Sequence, residues 1–432
     1  MTCEIAIMNL QAIVLAADSA MTVRRWINGK EEIRFFKGTN KIFQLSDQHP
    51  VGLMIFGAAS LQEVPWEVII KDFRDNLGGR SLPAVADYAK ALFRFIEDHS
   101  RLYPPPYRDK LFKDQVVAAG TMYLFFASNN DTVKGAKTDE EKRKAYADAL
   151  GEQMRLVDKT DWSAPFDQSD LERAKGRYGD EIRLELQQHL VRSKLEEIVD
   201  LQSLRDLAIK SLLKNYSTFT SGTGVVVAGF GDDDYFPSFH EYECWGLLLD
   251  RFLYAERGAE KIDIGKASAI KAFAMTDMVK TFLTGFSPDT YSRVNAAHQA
   301  SVKGFAEAIR TELQLDELPS LDKHLAEAIK QHDQAWWAVA FEAHYTPLTR
   351  VIGSLPVEEM AGLAETLIML QSLKEKVTLP TESVGGPVDV AVVTKSDGFI
   401  WIKRKHYFDP KLNPRFLARQ ARKLRSEAPQ GD

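Results

Sequence analysis

Thr2 and Asp18 bracket two apolar runs at the start of the chain, TCEIAIMNLQAIVLAAD, and this pairing is where the sequence first offers chemistry. Loss of Met1 would place the Thr2 hydroxyl beside its own α-amine, whose ordinary pKa of ~8 makes it a base at neutral pH. No separate histidine is then needed. The aminopeptidase that trims initiator methionines accepts small second residues, and Thr2 qualifies. Cys3 cannot take the same role, because its amine is tied up in a peptide bond.

The elements that must position these groups follow from the apolar pattern. Ile5 and Ile7 alternate with Glu4, Ala6 and Met8; Asn9-Leu10-Gln11 interrupts; Ala12 to Ala17 then forms a continuous apolar run. The pattern predicts two strands joined by a short turn. In an antiparallel pair the end of the second strand returns beside the start of the first, so Asp18 is expected near Thr2. Downstream, Lys41 enters an apolar strand, and a further strand, VGLMIF, ends in Gly57-Ala58-Ala59-Ser60. An ammonium there would tune neighbouring pKa values, with Asp18 as its counter-charge. Small residues at the turn would let backbone approach a substrate, and the N–H of Phe56 or Gly57 could hold an oxyanion.

Together TCEIAIMNLQAIVLAADSAMTV, NKIF and GLMIFGAAS resemble the opening of proteasome β-subunits and of the peptidase subunit of the bacterial two-component heat-shock protease, which are N-terminal nucleophile (Ntn) hydrolases. Further pieces resemble the same family: SLPAVADYAKALFRFIEDHS its second core helix, GTGVVVAGFGDDDYFPSFHEYE its next hairpin, and VGGPVDVAVVTKSDGFIWIKRKHYF its closing strands. The resemblance implies an α+β, four-layer αββα sandwich and an N-terminal threonine peptidase. It implies Thr2 as nucleophile, Asp18 and Lys41 as its charged support, and Gly57 as oxyanion donor, although Phe56 aligns with the family's donor glycine. Met54 falls where relatives line their primary specificity pocket.

The chain also departs from the family. The late D-x-x-S-G-G motif is here TESVGGP, with Thr381 and Val384 where the acid and serine would stand. Glu382 and Ser383 are candidate substitutes if the loop shifts by one residue, and Ser268 in KASAIKAF is the candidate for another supporting serine. Taken singly, Asp18 reads as a strand-end turn residue, Lys41 as a solvated lysine and Gly57 as a tight turn.

Two segments have no place in a minimal subunit of this kind. The expected division is an Ntn core in residues 1–100, a helical insertion in 101–215, core again in 216–288, a second helical insertion in 289–350, closing core in 351–408 and a basic tail in 409–432. Ser169 followed by Glu172 predicts a capping-box helix start in the first insertion. In the second, Trp336 and Trp337 are expected to pack the insertion or meet a partner. His324, His332 and His344 lack an evident ligand set, so no metal and no cofactor are expected.

The chain has 432 residues, 45% hydrophobic and 27% charged, enough for more than one core, and its net charge of -6 gives no global attraction to nucleic acid or acidic membranes. Two cysteines are too few for a disulfide framework and fit a reducing cytoplasm. No run reaches the length of a membrane span, and the apolar start lacks the basic leader of a signal peptide. The expected partners are copies of the chain itself, in a ring or a smaller closed assembly, a peptide or unfolded-protein substrate, and a separate AAA+ ATPase. A small-amide Ntn hydrolase and a catalytically silent assembly or binding protein are the alternatives.

Overall fold

The structure, a computed structural model, describes residues 2–27, 30–314, 319–378 and 384–419. Its first hairpin joins β1 (Cys3–Asn9) to β2 (Ala12–Ala17), and every residue of both strands is buried. Asn9 closes the turn: its Oδ1 accepts the backbone N–H groups of Gln11 and Ala12 at 2.9 and 3.2 Å. The register Glu4↔Ala17 returns the end of β2 to the beginning of β1.

Two antiparallel five-stranded sheets are built around this hairpin. The first runs β12 (Ser268–Ala274), β1, β2, β13 (Asp389–Thr394), β14 (Gly398–Lys403); the second runs β11 (Arg251–Lys261), β10 (Ser238–Leu248), β9 (Thr223–Gly229), β6 (Val51–Phe56), β5 (Ile42–Gln44). Ala6, Met8, Leu15, Met54, Val226 and Val393 belong to a core shared by the two sheets. Successive strand residues face opposite sides. Thus Ile5 and Ile7 pack with α9 (Asp277–Thr284) and α13 (Val357–Thr378), while Leu53 and Ile55 pack with α1 (Trp66–Leu77) and α2 (Val85–Asp98). Both faces of the strands are covered, which is why they read as almost unbroken apolar runs. The chain is of the α+β class.

Between β2 and β5 the chain makes a separate hairpin, β3 (Ala20–Ile27) and β4 (Lys30–Lys37), and after Gly57 a short ribbon, β7 (Ser60–Leu61) and β8 (Val64–Pro65). Between α2 and β9 come six helices: α3 (Pro105–Asn129), α4 (Asp131–Gly135), α5 (Asp139–Lys159), α6 (Gln168–Arg192), α7 (Leu201–Lys214) and α8 (Tyr216–Phe219). They have their own apolar core, which reaches the sheet at Trp245, Leu248 and Leu253. The expected capping box at Ser169 and Glu172 is corrected. Asp167 is the N-cap, accepting from the N–H of Ser169 and Asp170, and the side chain of Asp170 closes the box. Both tetrapeptides fit the pattern, but the one that starts two residues earlier satisfies the first N–H groups of the helix.

A second helical set, α10 (Pro288–Leu313), α11 (Pro319–Ala340) and α12 (Thr346–Ile352), precedes α13. Trp336 and Trp337 pack within it: Trp336 lies 5.4 Å from Phe286, Trp337 lies 5.3 Å from Tyr291, and the Trp337 indole N–H donates to the Tyr291 hydroxyl. His332 stacks on His298 at 3.8 Å, whereas His344 lies against Gly285. Among the described residues no group of three or more His, Cys, Asp or Glu side chains is placed to hold a metal, and no helix is long and apolar enough to cross a membrane.

Candidate functional site

The hairpin register brings Asp18 to the start of β1, where its backbone N–H donates to the Cys3 carbonyl at 3.1 Å. Its carboxylate is held from several directions. Oδ1 accepts Cys3 N–H at 3.0 Å and Lys41 Nζ at 2.5 Å; Oδ2 accepts Ala20 N–H at 3.1 Å and Gly385 N–H at 2.9 Å. Lys41 arrives from the other sheet, immediately before β5, anchored by a 2.9 Å hydrogen bond from Ile55 N–H to its carbonyl. Its side chain is only 4% exposed.

Glu4 completes the group. Its side chain is fully buried, its Oε1 lies 3.3 Å from Lys41 Nζ, and its Oε2 accepts the Thr2 hydroxyl at 3.1 Å. A continuous polar path therefore runs Thr2–Glu4–Lys41–Asp18. Burial pushes the Glu4 carboxyl up to about 8, with Lys41 pulling the other way. The neighbouring Cys3 thiol is also raised, first by burial and then by the charge of Glu4, so it is a packed side chain and not an activated thiolate. In the sequence Glu4 reads only as one polar position in an alternating strand. The signal was present, because a carboxylate inside a run whose both faces are apolar must find a cation or carry a proton.

Thr2 and Lys41 border a cleft of about 40 Å³ that lies between Ala20–Thr22 and the Ile55–Ala59 turn. Gly57 takes φ +83° there, a conformation that favours glycine. Phe56 turns into the intersheet layer, where it stacks on Phe273 at 5.8 Å and covers Gly224, so closely that a Cβ on Gly224 would lie 2.0 Å from its ring.

Thr2, Asp18, Lys41 and Gly57 are thus brought together. Met54 is not part of the cleft lining: it is completely buried between the sheets, and its neighbour Ile55 borders the cleft instead. Ser268 is also elsewhere. It pairs with Asn9 at the far end of β1, roughly 20 Å from Thr2 at ~3.3 Å per strand residue, and donates to the Thr349 carbonyl. The residue that meets Thr2 from that strand's other end is Met275, whose N–H donates to the Thr2 carbonyl at 3.0 Å. Thr381, Glu382 and Ser383 lie outside the described residues. Val384 is buried, and the glycines after it serve Asp18 and its neighbour: Gly385 N–H reaches the Asp18 carboxylate, and a Cβ on Gly386 would come within 2.6 Å of Ser19 Oγ. No protein-family model matches the chain, and no curated protein matches it.

A hydroxyl hydrogen-bonded to a carboxylate, a shared ammonium and a glycine turn beside an open cleft are the parts needed for acyl transfer.

Proposed function

We propose that this chain is a proteasome-like N-terminal threonine hydrolase with the four-layer αββα arrangement, cleaving peptide bonds through an acyl-enzyme. The observation that carries the reading is the buried Thr2–Glu4–Lys41–Asp18 path opening at Thr2 into the cleft beside Gly57. After removal of Met1, Thr2 Oγ attacks the substrate carbonyl carbon and the Thr2 α-amine takes the hydroxyl proton. Lys41, paired with Asp18, supplies positive charge beside the reacting centre, and backbone N–H groups of the Gly57 turn receive the oxyanion, an effect often worth ~3 kcal/mol per donor. Collapse of the tetrahedral species breaks the C–N bond, with the proton passing to the leaving amine. Water then releases the ester and restores Thr2.

Intact-mass spectrometry before and after exposure to a peptide epoxyketone, which joins both the hydroxyl and the free amine of an N-terminal threonine, tests the reading. A Thr2 adduct supports it; loss of Met1 with no adduct on the folded protein counts against it. The same N-terminal chemistry also serves amidases for small substrates, and comparing turnover of peptide and small-amide substrates separates the two readings.

A closed homo-oligomer belongs to the same proposal. Met369, Leu373 and Val377 on α13 are all more than half exposed, an apolar face suited to burial against another copy. Light scattering that returns only a monomer for the active protein would remove this part. An unfolded-protein substrate delivered by a separate AAA+ ATPase fits such a closed assembly.

A further inference from the structure

We infer that Glu4 is a catalytic residue that takes the proton directly from the Thr2 hydroxyl, a second internal base beside the α-amine. The inference rests on the threonine-hydrolase reading and concerns which group moves the proton.

The geometry separates the two carboxyl groups. Asp18 is occupied by three backbone N–H groups and Lys41. Its role is fixed by that wiring. Glu4 has one oxygen on the reacting hydroxyl and the other 3.3 Å from Lys41 Nζ, with no hydrogen bond to that second oxygen. It is also completely shielded from solvent. Thr2 and Glu4 are two residues apart in extended backbone and so share a face, which aims the carboxyl at the hydroxyl without help from any loop.

The step balances without any co-reactant other than water. With Glu4 ionised, the Thr2 Oγ–carbon bond forms as the hydroxyl proton moves to Glu4 Oε2 and the carbonyl electron pair moves onto oxygen. When the C–N bond breaks, that proton goes to the leaving amine. Hydrolysis of the ester runs in the same way: Glu4 takes a proton from water and returns it to Thr2 Oγ as the ester bond breaks. Lys41 offsets the charge of Glu4 whenever the proton is away. Burial, which holds the Glu4 carboxyl near 8, places this exchange within reach of neutral pH.

The test uses the full chain with Met1 removal verified by mass, and two reagents. A peptide epoxyketone reports whether Thr2 is a working N-terminal nucleophile. A peptide β-lactone acylates the hydroxyl alone, so its rate from pH 6 to 10 reports how that hydroxyl loses its proton. The wild-type acylation rate is expected to rise through pH about 8. Glu4→Gln is expected to be slower by about 100-fold at pH 9, any rise that remains in it belonging to the α-amine. Glu4→Asp keeps a negative partner for Lys41 but withdraws the carboxyl by one methylene; it too is expected to be at least ~10-fold slower, and it carries the test if the glutamine variant does not fold. Wild-type rate and pH profile in either folded variant would overturn the role of Glu4 while leaving Thr2 as the nucleophile. Absence of any Thr2 adduct in the wild type would overturn the threonine-hydrolase reading itself, and this inference with it.

Discussion

Glu4→Gln should stabilise the protein progressively, relative to the wild type, as pH rises from 4.5 to 8. In the folded chain burial raises the Glu4 carboxyl from 4.5 to about 8, so the native state holds this proton more tightly than the unfolded chain does. The stability that the proton contributes is complete below the unfolded value and is lost as pH climbs through the folded one. At ~1.36 kcal/mol per pH unit, the wild type should lose up to about 5 kcal/mol across that window that the non-titrating glutamine does not lose. The altered contact with Lys41 displaces the whole difference curve by a roughly constant amount, so the slope and not the offset is diagnostic. Urea denaturation at half-unit pH steps from 4.5 to 9 provides both curves. A difference that stays flat within ~0.5 kcal/mol, or that favours the wild type increasingly at high pH, would refute the reasoning that desolvation outweighs Lys41 at this site.

Lys41→Met removes the cation that Asp18 and Glu4 share and should cost ~3–5 kcal/mol in urea denaturation at pH 7, along with Thr2 reactivity; a loss under ~1 kcal/mol would mean the pair is solvated in solution. Gly224→Ala must displace the Phe56 ring and is expected to lower stability by ~1–3 kcal/mol while slowing Thr2 modification, because Phe56 leads directly into the Gly57 turn; an unchanged melting temperature would show that the ring has room to move. Met54→Ala should cost ~2–5 kcal/mol as a buried core truncation yet leave the cleavage preference unaltered, whereas an altered preference in a peptide-library digest would place Met54 at the cleft after all.

Much of this arrangement was legible in residue order. The β1–β2 hairpin, the return of Asp18 to the N-terminus, Lys41 at the mouth of a strand and the Gly57 turn all followed from apolar periodicity and antiparallel geometry. Three things were less visible. Glu4 was lost because alternation assigns a polar residue to solvent, and here both faces of the strand are covered by protein. Met54 lies in the layer between the sheets, fully buried and outside the residues that border the cleft, a depth that the apolar run VGLMIF does not disclose. Ser268 was tied to Thr2 by local likeness, but an antiparallel partner strand runs its near and far ends opposite to sequence intuition, and only the register Asn9↔Ser268 reveals the separation. The helix start at Asp167 lay within two residues of the expected one, a difference decided by which side chain caps the first free N–H groups.

The independent core of α3 to α8 has a consequence for how the chain assembles. β6 cannot pair with β9, nor β2 with β13, until long stretches of intervening chain have been brought into place. Helical contacts within the insertion are shorter in range, and forming them first reduces the loop that sheet closure must overcome. Pulsed hydrogen exchange during refolding should therefore protect α3, α6 and α7 before β9; the reverse order would show that the sheet directs the insertion. The same logic makes the Thr2 site a late product of folding. Its hairpin is made first in the chain, but Asp18 receives its bond from Gly385 only after the last sheet strands dock, so an emerging or truncated chain carries Thr2 and Asp18 without the full set of partners around them.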